Sequence, residues 1–262
     1  MTSSFPFRPS RYRDLSLLEI DSSRTLVIAC DSSGGIGPKA GDVVQVPAYV
    51  VGRFGARVPL MEVLAVGAEP VAIIDTLTVE LEPTGEEIRR GIVEEITVLG
   101  LDPVVALNGS SEKNIPTIQT GLGITVLGLV ESAKSLMWHL QAGDTLACFG
   151  RPKVGREVSL ADPEIVDLRT VTELIDSRLV REIVPVGSRG IRAEAEELAR
   201  LYGLKLDWQP HGPGGSTPAE LDLEKSAGPA TCLLAAGDAG DLQRLGRHLG
   251  KPFWLLGDLQ KR

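Results

Sequence analysis

The chain has 262 residues, enough for one large domain or two modest ones, each with its own core. Its 27 Lys and Arg stand against 35 Asp and Glu, a formal net charge of -8. No basic run is present, which argues against a nucleic-acid partner, because gripping a phosphate backbone needs clustered cations. No stretch reaches the roughly 18 apolar residues of a membrane span, and the opening "MTSSFPFRPSRYRD" has no apolar leader core. A soluble, cytoplasmic protein without a membrane partner is expected. Cys30, Cys148 and Cys232 lie far apart in apolar strand-like runs, which predicts buried free thiols in a reducing compartment.

Residues 1–22 read as a polar lead-in, and "RTLVIACD" (24–31) reads as a first strand ending at Asp31. From Val46 to Gly67 apolar residues recur at helical spacing. "PVAIIDTLTVE" (70–80) is a strand. "TGEE" (84–87) has the form of a capping box, Thr84 with Glu87, opening a helix that runs to about Leu99 with Glu86 and Arg90 paired. "PVVALNG" (103–109) and "IQTGLGITVLGLVE" (118–131) are strands. This β-α-β-α-β-β order predicts a ferredoxin-like sheet with helices on one face. A domain break is expected near Ala133, giving domains 1–133 and 134–262.

The second half starts again with a strand at 144–150 and a helix near 170–180. A strand at 182–188, a helix at 190–203 ended by Gly203 and the strand "LKLDW" follow. A Pro- and Gly-dense loop (209–220) holds His211, a candidate substrate contact; His139 and His248 are isolated. A strand at 230–236, a helix at 238–250 and a strand at 252–259 close the chain. This half is expected to be an α/β domain, within a chain of α+β class overall.

"DSSGGIGPKAGD" (31–42) raises the question of phosphate binding. It is not a Walker loop, since no Ser or Thr follows Lys39, and it is not a dinucleotide turn, since Ala40 stands where the third glycine belongs. A plain turn between strands stays open. Four carboxylates in or beside apolar elements, Asp31, Glu62, Asp75 and Glu112, point to a shared hard-cation site, because a carboxylate in an apolar run is costly unless paired or bound to a cation. "NGSSEKN" (108–114) adds Asn108, Gly109, Ser110, Ser111 and Lys113 after a buried strand; it too can be read as a turn.

Six stretches in order resemble the aminoimidazole ribonucleotide synthetase-like superfamily of ATP-dependent enzymes: "GGIGPK" (34–39), "LMEVLAVGAEPVAIID" (60–75), "NGSSEKN" with "GITVLGLV", "AGDTLACFGRPKVG", "VPVGSRGI" (184–191) and "EKSAGPATCLLAA" (224–236). Within it, "CDSSGGIGPKAGDVVQVP", "NGSSEKNIPTIQTGLGITVLG" and "GRPKVGREV" look like the α-ribazole kinases, which transfer phosphate from ATP to the 5′-hydroxyl of α-ribazole in cobamide lower-ligand salvage. The resemblance implies a homodimer whose N-terminal sheets close a barrel. It also implies ATP with Mg2+ as cofactors, and α-ribazole as the small-molecule partner. It implies Asp31, Asp75 and Glu112 as catalytic metal ligands with Glu62 in support, and Gly35, Gly37, Lys39, Asn108, Gly109, Ser110, Ser111 and Lys113 around the nucleotide phosphates. The chain departs from the pattern in that the family's loop aspartate aligns with Gly34. Either Ser111 or Glu112 stands at another acidic position. Alternatives are a different small-molecule kinase or ligase of the superfamily, such as a thiamine-monophosphate kinase-like enzyme, and an inactive nucleotide-binding dimer.

Overall fold

A computed structural model describes residues 9–211 and 221–262, and the chain divides into two compact units, one ending at Ser135 and one running from Leu136 to Arg262. The side chain of His211 and most of the Pro- and Gly-dense loop lie outside the described residues.

The first unit is built on a six-stranded sheet of order β1-β2-β3-β8-β6-β7. Its elements are β1 (Pro9–Tyr12), β2 (Leu15–Asp21), β3 (Arg24–Gly34), the short pair β4 (Ile36–Gly37) and β5 (Val44–Gln45), α1 (Ala48–Ala65), β6 (Glu69–Leu77), α2 (Glu86–Val98), α3 (Pro103–Ala106), β7 (Leu107–Ser111) and β8 (Gly121–Glu131). From β3 to β8 the expected β-α-β-α-β-β order is present, with α3 as an added turn. Within the stretch expected to be a polar lead-in, the described residues instead form β1 and β2, anchored by the buried Tyr12, Leu15 and Leu17.

Buried and part-exposed residues alternate along β8, the signature of a sheet covered on one face only. The covering comes from α1 and α2. Ile88, Ile92 and Ile96 of α2 recur every four residues and are fully buried. The two helices approach closely because Gly52 and Gly91 carry no side chain: a Cβ on either would lie within 2.2 Å of the other helix's backbone. Between them Glu95 is buried and accepts hydrogen bonds from Arg53 Nε and Arg57 Nη2.

The capping box expected at Thr84 is absent, because the Thr84 hydroxyl donates to Glu80 instead. Arg90 pairs with Glu87 rather than Glu86. The strand expected at 103–109 begins as the single turn α3: Asp102 caps it through the Val104 N–H, and Pro103 at its first position favours the turn over the β-branched pair that follows.

The second unit holds a five-stranded sheet of order β10-β12-β9-β13-β11. Its elements are β9 (Thr145–Gly150), α4 (Leu168–Ser177), β10 (Val180–Pro185), α5 (Gly190–Leu201), β11 (Leu204–His211), β12 (Cys232–Gly237), α6 (Ala239–Leu249) and β13 (Phe253–Lys261). Every pairing is antiparallel, which corrects the α/β expectation to α+β. The cause of the misreading is physical. Every residue of β9 and β12 is buried, because both faces are packed: Leu146, Cys148 and Leu234 against Ile191 and Leu198 of α5, Phe149 and Phe253 towards Gly246 of α6. Strands covered on both sides read as unbroken apolar runs whichever way they pair.

Cys148 and Cys232 are buried as expected, and burial raises the Cys232 thiol. Cys30 is exposed, on the open face of the first sheet, because β3 is covered on one side only. Among the described residues no helix is long and apolar enough to cross a membrane.

Candidate functional site

Asp31 does not end its strand. β3 continues to Gly34, and Asp31 lies opposite Ile124 of β8. On the other side of Ile124 stands Asp75 of β6, and beyond Asp75 stands Gly109 of β7. The row Asp31–Ile124–Asp75–Gly109 thus runs straight across four strands. Directly opposed residues share a face, and Ile124 and Asp75 are buried, so the row faces the helices. At about 4.8 Å per strand the two aspartates start roughly 10 Å apart, with the Ile124 side chain between them.

Asp75 is fully buried and receives two hydrogen bonds from Arg89 of α2, Nε to Oδ2 at 3.0 Å and Nη2 to Oδ1 at 3.1 Å. Burial still holds its carboxyl above the usual carboxylate range, against the pull of the guanidinium. Gly109 makes room for this carboxylate: a Cβ there would sit 2.2 Å from Asp75 Oδ1. Asp31 is part-buried; burial raises its carboxyl, opposed by the Ser32 N–H.

Glu62 stands 3.9 Å from Arg13. Glu112 turns into its own loop and accepts from the N–H groups of Asn114 (2.6 Å) and Ile115 (3.1 Å), which lowers its carboxyl. Among the described residues, no three His, Cys, Asp or Glu side chains converge where an ion could sit. The expected four-carboxylate Mg2+ site therefore does not fit this arrangement.

The glycine loop between β3 and α1 is organised by a carboxylate that the metal reading passed over. Asp42, 7% exposed, accepts from the Lys39 N–H, the Thr120 N–H and the Thr120 hydroxyl, each within 2.8 Å. Gly37 packs against this hub, where a Cβ would lie 2.3 Å from Thr120 Oγ1. Lys39 Nζ donates to Glu80 Oε2 at 2.6 Å and to the Thr117 carbonyl at 3.0 Å. Burial would raise Glu80, but the hydrogen bonds from Lys39 and Thr84 outweigh it and lower the carboxyl.

The loops at 35–46 and 112–120 are thus tied together through Lys39, Asp42 and Gly41, whose N–H donates to the Ile118 carbonyl. Ser110 pairs with Thr76 and Asn108 with Ile74, and neighbours Ser32 and Gly123 make the adjacent open sheet face small and hydroxyl-rich. Ser111 lies on the helix side beside Leu77, and Lys113 is exposed. Sequence reasoning missed Arg89, Asp42 and Glu80. Asp42 had a signal as the only other carboxylate of the glycine stretch; Arg89 had none, since a helix-surface arginine is ordinary.

Residues 12–130 match the family described as AIR synthase related protein, N-terminal domain. A search of curated proteins finds no match. Among solved structures, T. maritima PurL complexed with AMPPCP is similar at 16% identity and a TM-score of 0.64, over 94% of this chain and 42% of that one. PurL has also been solved with ATP and with ADP. This chain therefore spans about two fifths of the PurL length. Thiamine-monophosphate kinase from Stenotrophomonas maltophilia is similar at 18% identity and a TM-score of 0.61, over 98% of this chain and 89% of that one. These likenesses show a shared fold.

Proposed function

We propose that this protein is an ATP-dependent kinase that phosphorylates the 5′-hydroxyl of α-ribazole, acting in the cytoplasm as a homodimer. The observation that carries the nucleotide part is the shared fold with PurL solved with ATP, ADP and AMPPCP and with a thiamine-monophosphate kinase, joined to the match over residues 12–130. The acceptor rests on the stretches that look like α-ribazole kinases.

In this reading the 5′-oxygen of α-ribazole attacks the γ-phosphorus of ATP, the bond from that phosphorus to the β,γ-bridging oxygen breaks, and ADP and α-ribazole 5′-phosphate leave. Phosphoryl transfer asks a protein mainly for positioning and charge neutralisation. The N–H groups of Gly35 and Gly37, the loop 108–111 and Lys113 would line the phosphates, and Lys39 would exchange Glu80 for a phosphate oxygen. Asp31, raised by burial, takes the hydroxyl proton. Asp75 acts by holding Arg89, and Glu112 by shaping its loop.

The homodimer reading is supported by the open face of the first sheet, where Val71 (46% exposed), Ile74 (40% exposed) and the part-exposed Leu26, Ile28, Leu127 and Leu129 point away from α1 and α2. The absence of a convergent carboxylate set among the described residues favours one other reading, a nucleotide-binding dimer without turnover.

The deciding experiment incubates the protein with ATP, Mg2+ and α-ribazole and follows ADP and α-ribazole 5′-phosphate by mass spectrometry. Formation of both in equal amounts is expected. No product, with ATP bound in calorimetry, would establish the inactive binder; turnover only with thiamine monophosphate would move the acceptor.

A further inference from the structure

The second unit contains a cleft of about 330 Å3 lined by Arg151, Pro152, Lys153, Glu157, Asp222 and Lys225. It lies where the chain leaves β9 and where it approaches β12, and all of its lining residues belong to the second unit. We propose that this cleft binds a neutral, hydroxyl-rich small molecule of about the size of a ribose or ribonucleoside. The volume stands at the lower end of the roughly 300–1,000 Å3 typical of small-molecule sites.

The walls are held in place by backbone. The Thr231 hydroxyl accepts from the Lys153 N–H at 2.9 Å, and Thr231 is 1% exposed. The Arg151 N–H donates to the Glu164 carbonyl, and Asp222 Oδ1 accepts from the N–H groups of Glu224 and Lys225. Pro152 is buried and gives one apolar wall.

The charge pattern selects the ligand. Lys153 Nζ is bound by Asp162 at 2.5 Å and Glu164 at 2.7 Å; Arg151 Nε donates to Glu164 at 2.8 Å; Lys225 Nζ pairs with Glu157 at 2.6 Å. Three cations thus face four carboxylates once Asp222 is counted with Glu157, Asp162 and Glu164. A phosphate or carboxylate ligand would have to displace these carboxylates and then sit beside them, which like-charge repulsion opposes. A neutral polyol needs no ion pair broken. Vicinal hydroxyls can donate to Glu157 and Asp222 while accepting from Lys225 and Arg151, so the existing pairs become the recognition groups.

This inference stands on the cleft alone and is tested without ATP, so its failure and that of the kinase reading are separate. The full chain is titrated with methyl β-ribofuranoside, its 2-deoxy counterpart, ribose 5-phosphate and inorganic phosphate, with binding read by saturation-transfer NMR. The methyl riboside should bind, its 2-deoxy counterpart should bind more weakly, and the Glu157→Gln/Asp222→Asn variant should lose roughly tenfold in affinity for the riboside, as expected when charge-assisted acceptors are replaced. An unchanged circular dichroism spectrum serves as the fold control. Should that variant not fold, Lys225→Gln gives the same reading from the donor side. Tighter binding of phosphate or ribose 5-phosphate than of the methyl riboside, an affinity unmoved in the variants, or no riboside binding would each overturn the proposal.

Discussion

Two carboxyls that burial raises are tested by different readouts, one by turnover and one by stability. Burial raises Asp31, so its charged form costs stability at neutral pH. Asp31→Asn should leave the melting temperature unchanged or slightly raised, while turnover in the proposed kinase reaction falls by about 100-fold or more, the typical contribution of a general base. Normal turnover would remove Asp31 from the proton-accepting role. In the second unit Glu182, 2% exposed, accepts from the Tyr202 hydroxyl at 2.5 Å, and its carboxyl is pushed up from the ordinary 4.5 to about 8 by burial. The folded protein therefore keeps a proton that the unfolded chain releases. Stability should be highest below pH 4.5 as far as this group is concerned, and should be lost progressively as pH rises to about 8, by several kcal/mol. Glu182→Gln should flatten that part of the profile; urea midpoints of both proteins across the range decide it, since every other titrating group is common to the two.

At the scale of elements, β7 depends on one missing side chain. Gly109→Ala would push a Cβ to 2.2 Å from both the backbone oxygen and Oδ1 of Asp75, so β7 must shift away from β6. A loss of about 1–3 kcal/mol is expected in chemical denaturation, the usual cost of forcing atoms into a packed interior; a smaller loss would mean that the edge strand yields freely.

Much of this level was legible in sequence. Period-2 and period-3.6 patterns located β3, α1, β6, α2 and β8, because a sheet covered on one face writes its burial into alternation. β1 and β2 were not legible: their anchors are Tyr12, Leu15 and Leu17 among polar residues, too few to show a period. The antiparallel sense of the second sheet was not legible either, since β9 and β12 are buried on both faces. The site was legible as a set of residue types and not as an arrangement. Nothing in "AIIDTL" says that the next helix sends Arg89 to Asp75, or that Lys39 is taken by Glu80.

At the scale of the whole molecule, the proposed dimer would cover the open apolar face of the first sheet. Leu127→Asp, at the centre of that face, should turn a dimer into a folded monomer in sedimentation; a wild-type chain that sediments as a monomer at micromolar concentration would refute the dimer. The position of β8 has a separate consequence. In the order β3-β8-β6 the last strand made is the one that joins the others, for β3 and β6 bond to it and not to each other. A chain emerging from the ribosome can pair β1, β2 and β3, and can lay β6 against β7. It cannot unite these halves until residues 121–131 are out, and such late, distant pairing is slow. The nascent first unit should therefore stay open to protease through most of its synthesis and close abruptly once β8 appears.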